Sequence, residues 1–195
     1  MKILLIEPYY TGSHKQWADG FQRSSRHEIR ILSMKGQFWK WRMHGGAITL
    51  AKEFNENDWC PDLILATDML DLTTFLSLTR ERSHNIPTAI YFHENQLSYP
   101  WSPDDRDIKN KRDTHYGFIN YSSALSADKV FFNSEFHMRS FLNELQPFLK
   151  QFPDHQELGS IDNIYNKSKV LYLGMELQRF DEHKIDNANE RPLIL

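Results

Sequence analysis

Residues 87–96, PTAIYFHENQ, carry an apolar run, PTAIYF, that ends directly in His93, Glu94, Asn95 and Gln96. Read as a central strand, this run sets four polar side chains at its carboxyl end. It decides the fold because its neighbours repeat the pattern. KILLIEP (2–8), EIRILSM (28–34), PDLILATDML (61–70), DKVFFNS (128–134) and SKVLYLGMEL (168–177) are also short and apolar. Longer amphipathic stretches separate them. Strands alternating with helices argue for βαβ units and a parallel sheet. The expected class is therefore α/β, with a Rossmann-like, doubly wound parallel sheet.

The intervening stretches read as helices. One runs from about Lys15 to Arg23, with Trp17 and Phe21 facing inward at i, i+4 spacing. GGAITLAKEFNEN (45–57) is expected to start at Gly45 and Gly46, and LTTFLSLTRERS (72–83) to be capped by Asp71. HYGFINYSSALSA (115–127) is a further helix. EFHMRSFLNELQPFLKQF (135–152) follows Ser134 as N-cap and should bend or end at Pro147. The charged segment 102–114 reads as a loop.

A chain of 195 residues suits one well-cored domain, or a domain with a linker. The formal net charge of -3 provides no global pull toward nucleic acid or an anionic membrane, so any RNA contact must be local. Cys60 is the single cysteine; it allows no internal disulfide and favours a reducing, cytoplasmic setting. The run MKILLI is cut short by Glu7 and Pro8, too early for a secretory leader. No run approaches the roughly 18 apolar residues that cross a bilayer, so no membrane partner is expected. Residues 181–191 are polar and linker-like, and PLIL follows them. The expected division is a domain over 1–180, then a linker and the start of a missing C-terminal domain over 181–195.

Doubly wound sheets bind ligands at the carboxyl ends of their strands. Four polar clusters converge there: Glu7 with Tyr9 to His14, then Thr67 and Asp68, then His93 to Gln96, then Asn133 to Glu135. From these, Gly12, Ser13, His14, Asp68, Asn95, Gln96, Asn133 and Ser134 are candidates for binding substrate. Gly12 lets backbone approach a ligand, and the helix starting near His14 offers free N–H groups to an anion. TGSHK is, however, neither the G-x-G-x-x-G fingerprint nor a P-loop. His93 and Glu94 are the candidate catalytic pair. The imidazole can hydrogen-bond a hydroxyl or stabilise developing charge, and the carboxylate can accept a hydroxyl proton. The same pair opens H-E-x-x-H, but Leu97 stands at the second histidine position, so no metal is expected. The plainer alternative is that sheet ends need polar residues in any case, and Ser134 caps a helix.

MKGQFWKWRMHGG (34–46) interleaves cations with flat rings. Lys35, Trp39, Lys40, Trp41 and Arg42 are candidates for nucleic-acid contact, the rings stacking on bases while the cations neutralise phosphates. Alternate aromatics that merely cover an apolar surface would give the same pattern. A second basic group, Arg106, Lys109, Lys111 and Arg112, is interrupted by aspartates and reads as a solvated loop.

VFFNSEFHMRSF (130–141) and VLYLGMELQRF (170–180) resemble two segments of the N-terminal domains of retaining GT-B glycosyltransferases. IEPYYTGSHKQWADGF, ATDMLDLTTFLSL, YFHENQLSYPW and THYGFINYSSALSADKVFFNSEFH resemble, in order, the tRNA-queuosine alpha-mannosyltransferase family, over residues 1 to about 180. The resemblance implies the N-terminal, acceptor-side half of a GT-B fold. The two-domain enzyme would transfer mannose from GDP-mannose to queuosine in tRNA with retention. Most of the nucleotide sugar would be held by the domain absent here, so the fragment alone should be inactive. It further implies that Gly12, Ser13 and His14 face the transferring sugar and that His93 lies near sugar and acceptor. Neither a protein nucleophile, a tightly bound cofactor nor a metal is implied. A relative of the same fold acting on a lipid or small glycoside, or a non-catalytic binding module, are the alternatives.

Overall fold

The computed structural model describes residues 1–100, 102, 104, 105, 114–178 and 181. Six strands, β1 (Lys2–Tyr10), β2 (Glu28–Lys35), β3 (Leu63–Thr67), β4 (Thr88–Phe92), β5 (Lys129–Phe132) and β6 (Ser168–Val170), form one sheet. Its order is β2-β1-β3-β4-β5-β6, and every pairing is parallel. The helices are α1 (Gly12–Ser24), α2 (Trp39–Glu56), α3 (Leu72–Ser83), α4 (Thr114–Ser126), α5 (Glu135–Leu149) and α6 (Ser160–Lys167). The fold is the Rossmann-like, doubly wound α/β class expected from the sequence. The second basic group and the linker beyond Asp181 lie outside the described residues.

The period-two geometry of strands divides the core between the two faces. Leu4 and Ile6 of β1 join Ile64, Ala66, Ile90, Phe92, Val130 and Phe132 against helices α2 to α6. Ile3 and Leu5 turn the other way and pack with Leu65, Ala89 and Tyr91 against Ala18 of α1. All five residues of β4 are buried, which is why its sequence shows no polar alternation. The chain leaves β1 for β2 on one side and returns to β3 on the other. Strand order therefore reverses between β1 and β3, where such sheets open a crevice at their carboxyl ends.

Four boundaries differ from expectation. α1 begins at Gly12 rather than Lys15, with Gly12 at φ +51°, a conformation other residues enter at a cost. α2 begins at Trp39, so part of the aromatic and basic loop is its first turn. Gly45 and Gly46 lie inside that helix and serve packing. A Cβ on Gly45 would meet the Trp41 ring at 2.6 Å, and one on Gly46 would meet Pro8 of β1 at 3.3 Å. Pro147 sits within the last turn of α5, which continues to Leu149. β6 stops at Val170 instead of running to 177, because its neighbour β5 ends at Phe132. Leu171 N–H still bonds the Phe132 carbonyl, but Tyr172, Leu173, Met175 and Leu177 are exposed. Asp71 and Ser134 cap α3 and α5 as expected, accepting from Thr74 N and His137 N.

Candidate active site at the reversal of strand order

β1 ends in a turn that feeds α1, and this turn brings Glu7 and His14 together. Glu7 is fully buried; its Oε1 accepts from Tyr9 N at 2.8 Å, and its Oε2 meets His14 Nδ1 at 3.0 Å. β3 ends one strand away in Asp68, only 1% exposed. Parallel register sets Thr67 beside Tyr91, so Asp68 reaches the residue after β4: its Oδ1 accepts from His93 N at 2.8 Å and lies 3.3 Å from His93 Nδ1. The two imidazoles, each backed by its own carboxylate, lie 4.6 Å apart between ring centroids with a 40° tilt.

These contacts set the charges. Burial alone would push the His14 imidazole down, but the Glu7 hydrogen bond and the fields of Asp68, Glu7 and Glu94 outweigh it and raise its pKa to about 9. His14 is therefore an imidazolium at neutral pH. Asp68 is held below the usual carboxylate range, its burial outweighed by His93 and His14. Glu94 is pushed up, first by burial and then by the charge of Asp68. Three acids and one fixed cation thus share a small volume.

A cleft of about 580 Å³ opens over this group. Gly12, Ser13 and His14 line it from the first turn of α1, and Glu94 and Gln96 from the turn after β4. Tyr9, Trp39 and Tyr99 supply aromatic walls, with Thr11, Met69 and Asp105 completing them. Trp39 is braced by Tyr116 of α4, centroids 5.1 Å apart. The loop before α2 is also fixed to the cleft, since a Cβ on Gly36 would meet the Thr11 side chain at 2.1 Å.

Other candidates from the sequence stand behind the cleft. His93 is packed among His14, Trp17 and Tyr91 and does not line the opening; its Nε2 is buried without a hydrogen-bond partner. Asn95 is used in its own turn, its Oδ1 accepting from Leu97 N and Ser98 N. Asn133 donates to the His93 carbonyl at 2.7 Å and holds His137 Nδ1 at 3.0 Å, while Ser134 caps α5. Both therefore shape the site from below. In the nucleic-acid group, Lys40 pairs with Asp105, and Arg42 Nε donates to the carbonyl of Lys35, itself exposed. Trp41 is exposed, its ring lying along Gly45.

Sequence reasoning passed over Asn120. It is fully buried on α4, donates to the Asp68 carbonyl at 2.8 Å and accepts from Gln96 N at 2.7 Å, joining two walls of the site. Its only signal was an amide between Ile119 and Tyr121 in the middle of a helix. Met69, Tyr99 and Asp105 had none. Glu7, His14 and His93 also put one donor atom each within 4.8 Å of one another, the spacing a metal ion needs. Both Glu7 oxygens already have partners, and His93 pairs instead with Asp68 and stacks at a tilt of 40° against His14.

Comparison with known proteins bears on the same span. The family model described as tRNA-queuosine alpha-mannosyltransferase N-terminal matches residues 2–175. A tRNA-queuosine alpha-mannosyltransferase of Drosophila melanogaster is 36% identical over 183 residues, which is 93% of this chain and 47% of the relative. The chain thus spans about half the length of that relative.

Proposed function

Because the chain belongs to the tRNA-queuosine alpha-mannosyltransferase family, we propose that it is the acceptor-side domain of a retaining GT-B glycosyltransferase. The full-length enzyme would move mannose from GDP-mannose to queuosine in tRNA. The observation that carries this reading is the cleft: a cationic His14 on the first turn of α1, facing aromatic walls and Glu94 across one opening. A helix N-terminus and an imidazolium suit the diphosphate and sugar of a nucleotide-sugar donor. Tyr9, Trp39 and Tyr99 suit a flat, unstacked base, and Gln96 and Glu94 supply polar groups for its hydroxyls.

In this reading Glu94, whose carboxyl is raised, exchanges a proton with an acceptor hydroxyl and is no nucleophile. Asp68, His93 and Asn133 hold the floor of the site. Lys35, Lys40, Trp41 and Arg42 would meet the phosphate backbone, beside Trp39 of the cleft wall, with Lys40 tied to the cleft through Asp105. The donor is held mainly by the remainder of the longer protein, no tightly bound cofactor takes part, and the work is cytoplasmic. Among the described residues no helix is long and apolar enough to cross a membrane.

The test is transfer of labelled mannose by the full-length protein to queuosine-containing tRNA. Mannosylated tRNA is expected, with none formed by residues 1–195 alone. Transfer to a lipid or small glycoside but not to tRNA would overturn the acceptor, and no transfer from any nucleotide sugar would overturn the enzyme.

A further inference from the structure

Glu7 is a buried acid in the middle of an apolar sheet edge, and the reading above gives it no task. Removing a carboxylate from water is costly unless it is paired and hydrogen-bonded. Its two oxygens are both engaged, one by Tyr9 N and the other by His14 Nδ1. With Nδ1 committed to Glu7, only Nε2–H of His14 remains for a ligand in the cleft that His14 lines. The ring is otherwise fixed edge-on by Tyr9 at 6.0 Å and against His93 at 4.6 Å. One rotamer and one free donor are thus defined.

We propose that Glu7 is a positioning residue: it fixes His14 as a cationic hydrogen-bond donor to a substrate phosphate seated at the N-terminus of α1. This rests on the transferase reading, and it names the chemistry recognised there. Two independent donors meet at one place. The Thr11 side chain makes no cap to α1, so the first-turn N–H groups stay available to a ligand beside the imidazolium. The groups facing His14 are Glu7 and Tyr9 from β1, Asp68 after β3, and His93 and Glu94 after β4. Glu7 is the one acid in hydrogen-bond contact with it. A phosphate could come from the nucleotide sugar or from the tRNA backbone, and the kinetics separate the two.

The experiment compares full-length wild type with Glu7→Gln, His14→Gln and the double variant. Gln at 7 keeps an acceptor for Tyr9 N and removes the charge. Glu7→Gln should raise KM for the phosphate-bearing substrate about tenfold, the value of one charge-assisted hydrogen bond, with a smaller effect on kcat. His14→Gln should do the same, and the double variant no worse than either. A raised KM for GDP-mannose with unchanged KM for tRNA assigns the phosphate to the donor; the reverse assigns it to RNA. Additive losses in the double variant would overturn the proposal, because Glu7 would then act without His14. A second measurement needs no stable variant: NMR titration of the wild-type His14 ring should give about 9, and an ordinary value would equally overturn it. If that titration succeeds while no nucleotide sugar is turned over, the transferase reading fails and the pairing stands.

Discussion

His14→Gln should change how stability depends on pH, with a sign and size set by the structure. His14 is only 7% exposed and titrates near 9 in the fold, against an ordinary 6.5 in the unfolded chain. The folded state therefore binds its proton more tightly. The stabilisation is complete below about pH 6.5, shrinks as pH rises, and is gone once pH passes about 9. The gap between the two values corresponds to about 3 kcal/mol. Urea unfolding of both proteins at about pH 6, 7.5 and 9.5 would read it directly. The stability of wild type minus that of His14→Gln should fall by about 3 kcal/mol across that range, following a single proton. A difference that stays constant from pH 6 to 9.5 would show that Glu7 and its neighbours do not hold His14 charged.

Asp68→Asn keeps the shape of a buried group but removes the charge that His93 N–H and Nδ1 face. It should cost about 2 kcal/mol, lowering Tm by roughly 4–8 °C at neutral pH. Because Asp68 is held low, that difference should fade as pH falls through its folded value, which calorimetry at several acidic pH values would check. If the proposed transferase reading holds, dialysis of the full-length protein against EDTA should leave mannosyl transfer unchanged. Activity lost on dialysis and restored by a divalent ion would instead make Glu7, His14 and His93 a coordination shell.

The fold was legible where local chemistry decides it. Thr88–Phe92 is buried on both faces and its sequence says so; Asp71 and Ser134 cap helices with their own side chains. Expectation failed where a distant contact intervened. Gly45 and Gly46 look like a helix start, yet their bare Cα atoms let Trp41 and Pro8 approach. The apolar run 171–177 looks like strand, but a strand needs a neighbour and β5 has already ended. The site shows the same division. Its place at the carboxyl ends was readable, because a doubly wound sheet puts it there. Its pairings were not: Asp68 meets His93 through strand register, and Asn120 arrives from a helix distant in sequence.

This difference changes which histidine is informative. His93 stands out in the sequence because it follows the central strand, yet its side chain lies behind His14 with Asp68 at its back. Replacing it by alanine would leave the Asp68 carboxylate buried without its imidazole and open a void beside Trp17 and Tyr91. An inactive His93→Ala enzyme would follow from that damage whether or not the ring meets substrate. His14 differs, since it lines the cleft and its partner Glu7 can be neutralised separately. The contacts run from Asp68 to His93 and from Glu7 to His14, and the proposal adds a step from His14 to the ligand. Only that last step is ligand recognition, and it is the one that substitution at positions 7 and 14 can isolate.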